Sequence, residues 1–308
     1  RDKMKVRFWG VRGGVPTPGA GHARFGGNTS CISVESDSGE LLILDAGTGL
    51  RLLGNQLLQR APQGGLEATI LFSHLHWDHI QGIPFFKPLF NPRNTFRFMG
   101  QDTKDLTFQR SLEVQQASSF FPVDLEYMSA RKSFHSLTEG TFQQGPFSIQ
   151  ARRLNHPGGC LGFRIQVGEA CLVYATDTEH IVEGPDPVIV DLARHADLLI
   201  FDTNYTPEEY RQGRVGWGHS TWEHAILNAR AAGVRRLVMF HHDQDHDDVA
   251  MDAIERAAHQ HCGNCFAARE GMVLQLQERK DAEGARELEI LLPEGGRLSH
   301  NLSAVSAS

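Results

Sequence analysis

Four potential metal ligands fall within a stretch of six residues, HLHWDH, in the first third of the chain. They are His74, His76, Asp78 and His79. Neutral imidazoles bind Zn²⁺, iron and similar ions, and a carboxylate adds an anionic oxygen ligand. Histidines that are merely solvated in a polar turn would be the alternative, but four ligands at this spacing favour a metal site.

An apolar run directly before these residues predicts the element that positions them. Residues 66–72, LEATILF, are apolar and rich in β-formers, which is typical of a buried strand. His74 and His76 are two residues apart, so they would share a face in extended backbone. Asp78 and His79 would begin a helix and face a second point nearby. The sequence therefore predicts a metal site at the edge of a sheet.

Composition and charge limit the classes of protein to which the chain can belong. Its 308 residues are 40% apolar, enough for the core of one large domain. A formal charge of −7 argues against a general nucleic-acid surface, and no apolar run is long enough to predict a membrane span. No signal peptide is visible, and five cysteines are an odd number, so we expect a reducing, cytoplasmic location. The CxxC pair Cys262 and Cys265 has no second pair, which favours a structural role.

The segment HLHWDH resembles the HxHxDH signature of the metallo-β-lactamase fold, and later segments match the same superfamily in the same order. The resemblance covers residues 4–278 as a single domain. It implies an α/β (α+β) fold, an αββα sandwich in which two mixed β-sheets lie face to face with helices outside. Members are often dimers, so a homodimer is possible. The polar residues 279–308 are expected to form a partly flexible tail.

The same resemblance implies ligands for two divalent metal ions. His156, before Pro-Gly-Gly, matches the third histidine of one ion, and Asp177 matches a carboxylate that bridges both ions. His241 matches a ligand of the second ion, with His242 as the alternative, because sequence cannot fix a one-residue register. The implied sets are His74, His76 and His156 for one ion, and Asp78, His79 and His241 for the other, with Asp177 between them. Zn is expected, although such sites also accept Mn or Fe.

Three positions near the N-terminus are interpreted in the same way. Asp45 follows a buried strand and matches a residue that supports the metal-binding loop without binding the metal. Asn28 and Thr29 lie in a loop that, by resemblance, rims the active site, so we expect them to contact substrate. A turn built on glycine and asparagine would explain them equally well.

The segment GHST at residues 218–221 resembles a motif of the ribonuclease Z-like branch of the superfamily. By resemblance, His219 donates a proton to the leaving alkoxide and Asp202 is its acidic partner, where ribonuclease Z more often has glutamate. The metal ligand Asp78 is included with these two as catalytic. Capping of the following helix would be the alternative role for His219.

A short connection predicts a small substrate. Bacterial ribonuclease Z carries a long tRNA-gripping arm between the positions that match His156 and Asp177, but here only 20 residues separate them. With the acidic charge, this favours metal-dependent hydrolysis of a 3′,5′-cyclic nucleotide by attack of metal-bound hydroxide on phosphorus, and makes a nucleic-acid partner unlikely. The alternatives are a ribonuclease Z-like RNA endonuclease, a di-iron redox or sensor protein, and a non-catalytic nucleotide-binding module.

Overall fold

A computed structural model describes residues 3–180, 184–280, 286–291 and 297–298. In chain order its strands are β1 (Met4–Gly10), β2 (Cys31–Ser36), β3 (Leu41–Leu44), β4 (Glu67–Leu71), β5 (Thr95–Gly100), β6 (Arg131–Ser136), β7 (Gly140–Gln144), β8 (Phe147–Leu154), β9 (Cys160–Val167), β10 (Ala170–Ala175), β11 (Leu198–Asp202), β12 (Leu237–Phe240), β13 (Cys265–Ala267), β14 (Val273–Lys280), β15 (Arg286–Leu291) and β16 (Arg297–Leu298). The helices are α1 (Leu50–Arg60), α2 (Trp77–Ile80), α3 (Phe108–Gln115), α4 (Pro187–Leu192), α5 (Pro207–Glu209), α6 (Trp222–Ala232) and α7 (Asp248–His261).

The strands form two mixed sheets within the described ranges. The first has the order β16-β15-β14-β1-β2-β3-β4-β5-β6, and the second has the order β13-β12-β11-β10-β9-β8-β7. Strands β3 to β6 run parallel in the first sheet, and β10 to β13 run parallel in the second. Polar residues that follow parallel strands therefore meet at one edge of each sheet.

Three apolar clusters hold the layers together. The largest lies between the sheets and includes Phe8, Leu44, Tyr174 and Phe240, all without exposed surface. The other two lie between each sheet and the helices on its outer face. Strand β4 is buried on both faces from its second residue, which explains why its sequence is a continuous apolar run. The predicted αββα sandwich is confirmed.

Helix α1 forms where its apolar periodicity predicts it. Leu50, Leu53, Gly54 and Leu57 are buried at a spacing that puts them on one helical face. Helix α6 covers Trp222–Ala232, and its first turn is capped by the side chain of Thr221.

Helix α3 has a side-chain cap at its first turn. It begins at Phe108 because the hydroxyl of Thr107 accepts a hydrogen bond from the backbone N–H of Arg110. The cap, and not the apolar pattern, sets this boundary.

The first sheet continues beyond residue 278, where the sequence predicted the end of the domain. Strand β15 pairs antiparallel with β14, from Val273 opposite Leu291 onward, and β16 pairs with β15. Pairing covers an edge of β14 that would otherwise expose unpaired backbone groups. The remaining parts of the predicted tail, 281–285, 292–296 and 299–308, lie outside the described residues. No helix in the described ranges has the length and apolar character needed to cross a membrane.

Candidate metal centre

All seven predicted ligands meet at the edge formed by the carboxyl ends of strands from both sheets. His74 and His76 follow β4, Asp78 and His79 lie in α2, and His156, Asp177 and His241 follow β8, β10 and β12. They form two groups: His74, His76, His156 and Asp177, and Asp78, His79, Asp177 and His241. The ligand atoms within each group lie within 4.8 Å of one another. The chain therefore folds so that both predicted ligand sets are assembled.

Asp177 belongs to both groups, and its two oxygen atoms are divided between them. Oδ2 lies 3.6 Å from Nε2 of His74 and 3.7 Å from Nε2 of His156. Oδ1 lies 3.2 Å from Nε2 of His79 and 3.3 Å from Nε2 of His241. This is the arrangement needed for one carboxylate to bridge two metal ions.

The other ligand atoms converge on the same two points. Nδ1 of His76 lies 3.2 Å from Nε2 of His156 on the first side. Oδ2 of Asp78 lies 3.2 Å from Nε2 of His79 and 3.0 Å from Nε2 of His241 on the second side. The first point is lined mainly by imidazoles and the second by two imidazoles and two carboxylates.

The donor atoms of the first group suit a divalent cation. Nδ1 of His74 lies 3.1 Å from the Ser73 hydroxyl, whereas its buried Nε2 has no hydrogen-bond partner among the described residues. Burial lowers the pKa of His74 well below its usual value, so the ring is neutral, the form that binds metals. A buried lone pair aimed at other lone pairs is unfavourable unless a cation lies between them.

The second group concentrates negative charge. Burial alone would lower the pKa of His79, but Asp78, Asp177 and Asp45 raise it well above its usual value. Its Nε2 is also buried without a hydrogen-bond partner among the described residues. Three carboxylates around one imidazole form a site that a divalent cation would neutralise. Both groups therefore fit metal ions.

Asp45 supports the second group by contacting the side of the His79 ring that faces away from the other ligands. Its Oδ2 accepts hydrogen bonds from Nδ1 of His79 at 2.8 Å, from the Ser73 hydroxyl at 2.7 Å and from the Tyr174 hydroxyl at 2.7 Å. The bond to Nδ1 fixes the tautomer of His79 and leaves Nε2 directed at the metal position. Asp45 therefore has the supporting position predicted for it.

The backbone is unusual at the strand ends that carry these carboxylates. Asp45, Asp177 and His241 have φ angles of 59°, 49° and 62°, in the left-handed region that favours glycine. Such conformations cost about 1–3 kcal/mol each and persist where the surrounding structure fixes them. Their concentration here indicates that the turns are shaped by the site.

The structure resolves the choice between His241 and His242. Nε2 of His242 donates to the carbonyl oxygen of Ala268 at 2.9 Å, away from both ligand groups. The amide of Asn204 donates to the carbonyl oxygen of His241 at 2.8 Å and holds the turn in place. His241, and not His242, is therefore the histidine that the fold brings into the second ligand group.

His219 and Asp202 form a pair beside the second group. Nδ1 of His219 donates to Oδ2 of Asp202 at 2.8 Å, and the His219 and His241 rings are stacked 5.0 Å apart. Burial alone would lower the pKa of His219, but Asp202 more than offsets this and raises the pKa to about 9. The side chain keeps 16% of its surface exposed. A protonated imidazole thus lies between the ligand groups and solvent.

Glu179 is a site residue to which the sequence assigned no role. Its Oε1 accepts hydrogen bonds from the Tyr210 hydroxyl and the Gly216 N–H, each at 2.7 Å, and its Oε2 accepts from the Gly218 N–H at 2.8 Å. The Gly218 carbonyl in turn accepts from Nδ1 of His156 at 2.8 Å. Glu179 therefore connects the loop before α6 to the first metal position. The sequence offered one indication of this role, which is that Glu179 lies two residues after Asp177 at the same strand end.

Thr29 and Asn28, the two predicted substrate contacts, differ in exposure. Thr29 has no exposed surface, and its hydroxyl accepts a hydrogen bond from the Thr48 N–H at 2.8 Å. Asn28 is partly exposed, and its amide donates to Glu270 at 3.2 Å. Thr29 therefore holds the loop against the turn after β3, and the substrate contacts of Thr29 and Asn28 both stay predictions.

This fold and paired ligand groups are those of a metallo-β-lactamase-type centre. The sequence profile of the beta-lactamase superfamily domain matches residues 41–242, and the chain belongs to this superfamily. It is 24% identical to ribonuclease Z of Myxococcus xanthus over 322 aligned positions, covering 90% of this chain and 99% of that protein.

Two solved structures show the same fold. The metallo-beta-lactamase fold protein YhfI from Bacillus subtilis matches with a TM-score of 0.65 at 23% identity, covering 89% of this chain and 100% of that chain. A diphosphatase from the PhnP family also matches with a TM-score of 0.65, at 17% identity, covering 89% of this chain and 97% of that chain.

Proposed function

We propose that the protein is a phosphodiester hydrolase that uses two divalent metal ions, with Zn favoured, and that it hydrolyses 3′,5′-cyclic nucleotides. The observation that carries this proposal is the divided carboxylate of Asp177, which faces two ligand groups at once. When bound, two ions would withdraw charge from a phosphate and lower the pKa of a nearby water molecule. The protein residues then have to bind the ester and donate a proton to the leaving oxygen.

The leaving oxygen needs a proton, and His219 is placed to donate it. Nδ1 of His219 is bonded to Asp202, so Nε2 carries the proton that can be transferred. In the proposed reaction a water oxygen bonds to phosphorus, the P–O3′ bond breaks, and O3′ takes the proton from Nε2. The water's surplus proton goes to solvent, and His219 regains one from solvent. The product is a nucleoside 5′-monophosphate.

A small substrate is supported by the chain between His156 and Asp177. Strands β9 and β10 fill most of it and are joined by a tight hairpin. No arm projects from this part of the described chain, whereas an extended RNA would need a gripping surface. The net charge of −7 also disfavours a broad electrostatic attraction to RNA.

RNA cleavage is the second candidate, because curated relatives that align with about nine-tenths of the chain are named ribonuclease Z. One panel separates the two functions: metal-loaded protein is incubated with four 3′,5′-cyclic nucleotides and with a tRNA precursor. Turnover of cyclic nucleotides that is lost in His219→Ala with both ions retained is the expected result. Cleavage of the precursor alone would transfer the assignment to the ribonuclease, and no turnover of either would refute both.

A further inference from the structure

The four tryptophans of the chain divide into two buried and two exposed ones. Trp9 and Trp222 are 7% and 9% exposed and belong to the core. Trp77 and Trp217 are 75% and 55% exposed. Trp77 lies inside the ligand segment HLHWDH, and Trp217 lies two residues before His219. Large exposed apolar side chains beside a catalytic centre are candidates for substrate contact.

Contacts between side chains connect Trp217 to His219. The guanidinium of Arg214 lies 4.5 Å from the centre of the Trp217 ring and 5.8 Å from that of Tyr205. The Tyr205 ring in turn lies 5.8 Å from the His219 ring, edge to face. Arg214 covers part of the Trp217 ring and leaves the rest of this indole in solvent. We call Arg214 and Trp217 the Trp217 shelf.

Among the described residues, no acidic side chain neutralises the charge of Arg214. Within the described ranges no carboxylate lies within ion-pair distance of its guanidinium, although neighbouring Arg211 pairs with Glu208 at 3.5 Å. The chain as a whole is acidic, with a formal charge of −7. A cation near the metal centre that has no acidic partner in the described part of the chain would favour the approach of an anionic substrate.

The Trp217 shelf is held in place by the hydrogen bonds of Glu179. They fix Tyr210 and Gly216 on one side of Trp217 and Gly218 on the other. Because both neighbours of Trp217 are bonded to one buried carboxylate, little conformational freedom is left to be lost on binding.

We propose that the Trp217 shelf binds the nucleobase of the substrate, by stacking on the exposed part of the Trp217 ring, while the phosphate lies at the metal centre. This inference rests on the proposed function and specifies the substrate as a base-bearing phosphodiester. A planar base suits an indole, since every base has a π-face that stacks on aromatic side chains. Arg214 contributes charge for the phosphate.

Binding of two product-like ligands to metal-loaded protein tests the Trp217 shelf without requiring turnover. Adenosine 5′-monophosphate and ribose 5-phosphate share the phosphate and sugar and differ in the base. Calorimetry should give about tenfold tighter binding of the nucleotide to the unchanged protein. Trp217→Leu should remove most of this preference and leave binding of ribose 5-phosphate unchanged. Arg214→Gln should weaken both ligands by a similar factor.

Tyr127→Leu is the matched control, because Tyr127 is 75% exposed but precedes β6, at the end of that strand opposite the metal centre. This variant should keep the preference. Equal affinity of the unchanged protein for both ligands, or an undiminished preference in Trp217→Leu, would overturn the proposal. Failure of the proposed function would instead appear as absence of cyclic-nucleotide turnover with the base preference intact.

Discussion

The imidazole of His156 donates through Nδ1 to the carbonyl oxygen of Gly218, 2.8 Å away. This bond joins a metal position at the end of β8 to the loop that presents His219. The same glycine donates its N–H to Glu179, so both backbone polar groups of Gly218 are held by hydrogen bonds. The orientation of His156 and the position of His219 therefore depend on a single loop conformation.

Replacement of Glu179 by glutamine should lower kcat about ten- to a hundredfold, the usual effect of losing a partner that orients a metal ligand. The amide retains the shape of the side chain but turns one acceptor into a donor that faces an N–H. Steady-state kinetics on a phosphodiester and metal analysis of the same sample check this. We expect kcat to change more than KM.

Glu208→Gln is the control for this substitution. Glu208 lies in the neighbouring helix α5, and its side chain is 71% exposed with an ion pair to Arg211. Its loss should leave kcat unchanged, because exposed pairs contribute little. An equal loss of kcat in Glu179→Gln and Glu208→Gln would mean that Glu179 has no specific role in positioning His156 and His219.

Asp45→Asn should weaken binding of the second ion about ten- to a hundredfold while the first ion stays bound. The amide removes the charge that holds Nδ1 of His79, and asparagine tolerates the left-handed backbone at this position. Metal titration of the apoprotein measures both affinities. Tyr174→Phe, which removes only one of the hydrogen bonds to Asp45, should have a smaller effect. Unchanged affinity for both ions in Asp45→Asn would exclude a supporting role.

Four of the ligands were predictable from a local signal, and the resemblance to the superfamily implied the other three at strand ends. HLHWDH places four of them in six residues, and His156 and Asp177 each end a recognisable strand. The choice of His241 over His242 was not predictable, since it depends on which side of the turn faces Asp78 in three dimensions. The left-handed φ of His241 decides it, and no sequence pattern indicates that angle.

Glu179 and β15 show two other limits of sequence. The partners of Glu179 are 31 to 39 residues away along the chain, and only the folded loop brings them together. The strand Arg286–Leu291 lies within a segment of polar composition, which predicted a flexible tail. Its pairing with β14 was therefore not predicted. The hydrogen bonds of Glu179 and the pairing of β15 therefore depend on tertiary contacts, which local sequence patterns do not show.

Chelation should lower the melting temperature, and His241→Ala should reduce the bound metal from two ions to one. Without cations the unpaired Nε2 atoms of His74 and His79 face other ligands across buried space, which destabilises the folded state. Thermal melts with and without chelator, together with metal analysis, check both expectations. His135→Ala, at an exposed histidine, should keep two ions. A melting temperature that does not respond to chelation would show that metal contributes nothing to folding.

The acid role of His219 predicts how activity depends on pH. A proton donor must be protonated, so activity should fall as pH rises through its pKa, which Asp202 raises to about 9. In Asp202→Asn the carboxylate charge is lost while burial still lowers the pKa, so the alkaline limb of the kcat profile should move to lower pH. At pH 8 the variant should therefore lose more activity than at pH 6. A profile of kcat against pH for both proteins measures this shift, and metal analysis at each pH separates it from loss of the ions. An alkaline limb at the same pH in both proteins would assign the proton donation to another group.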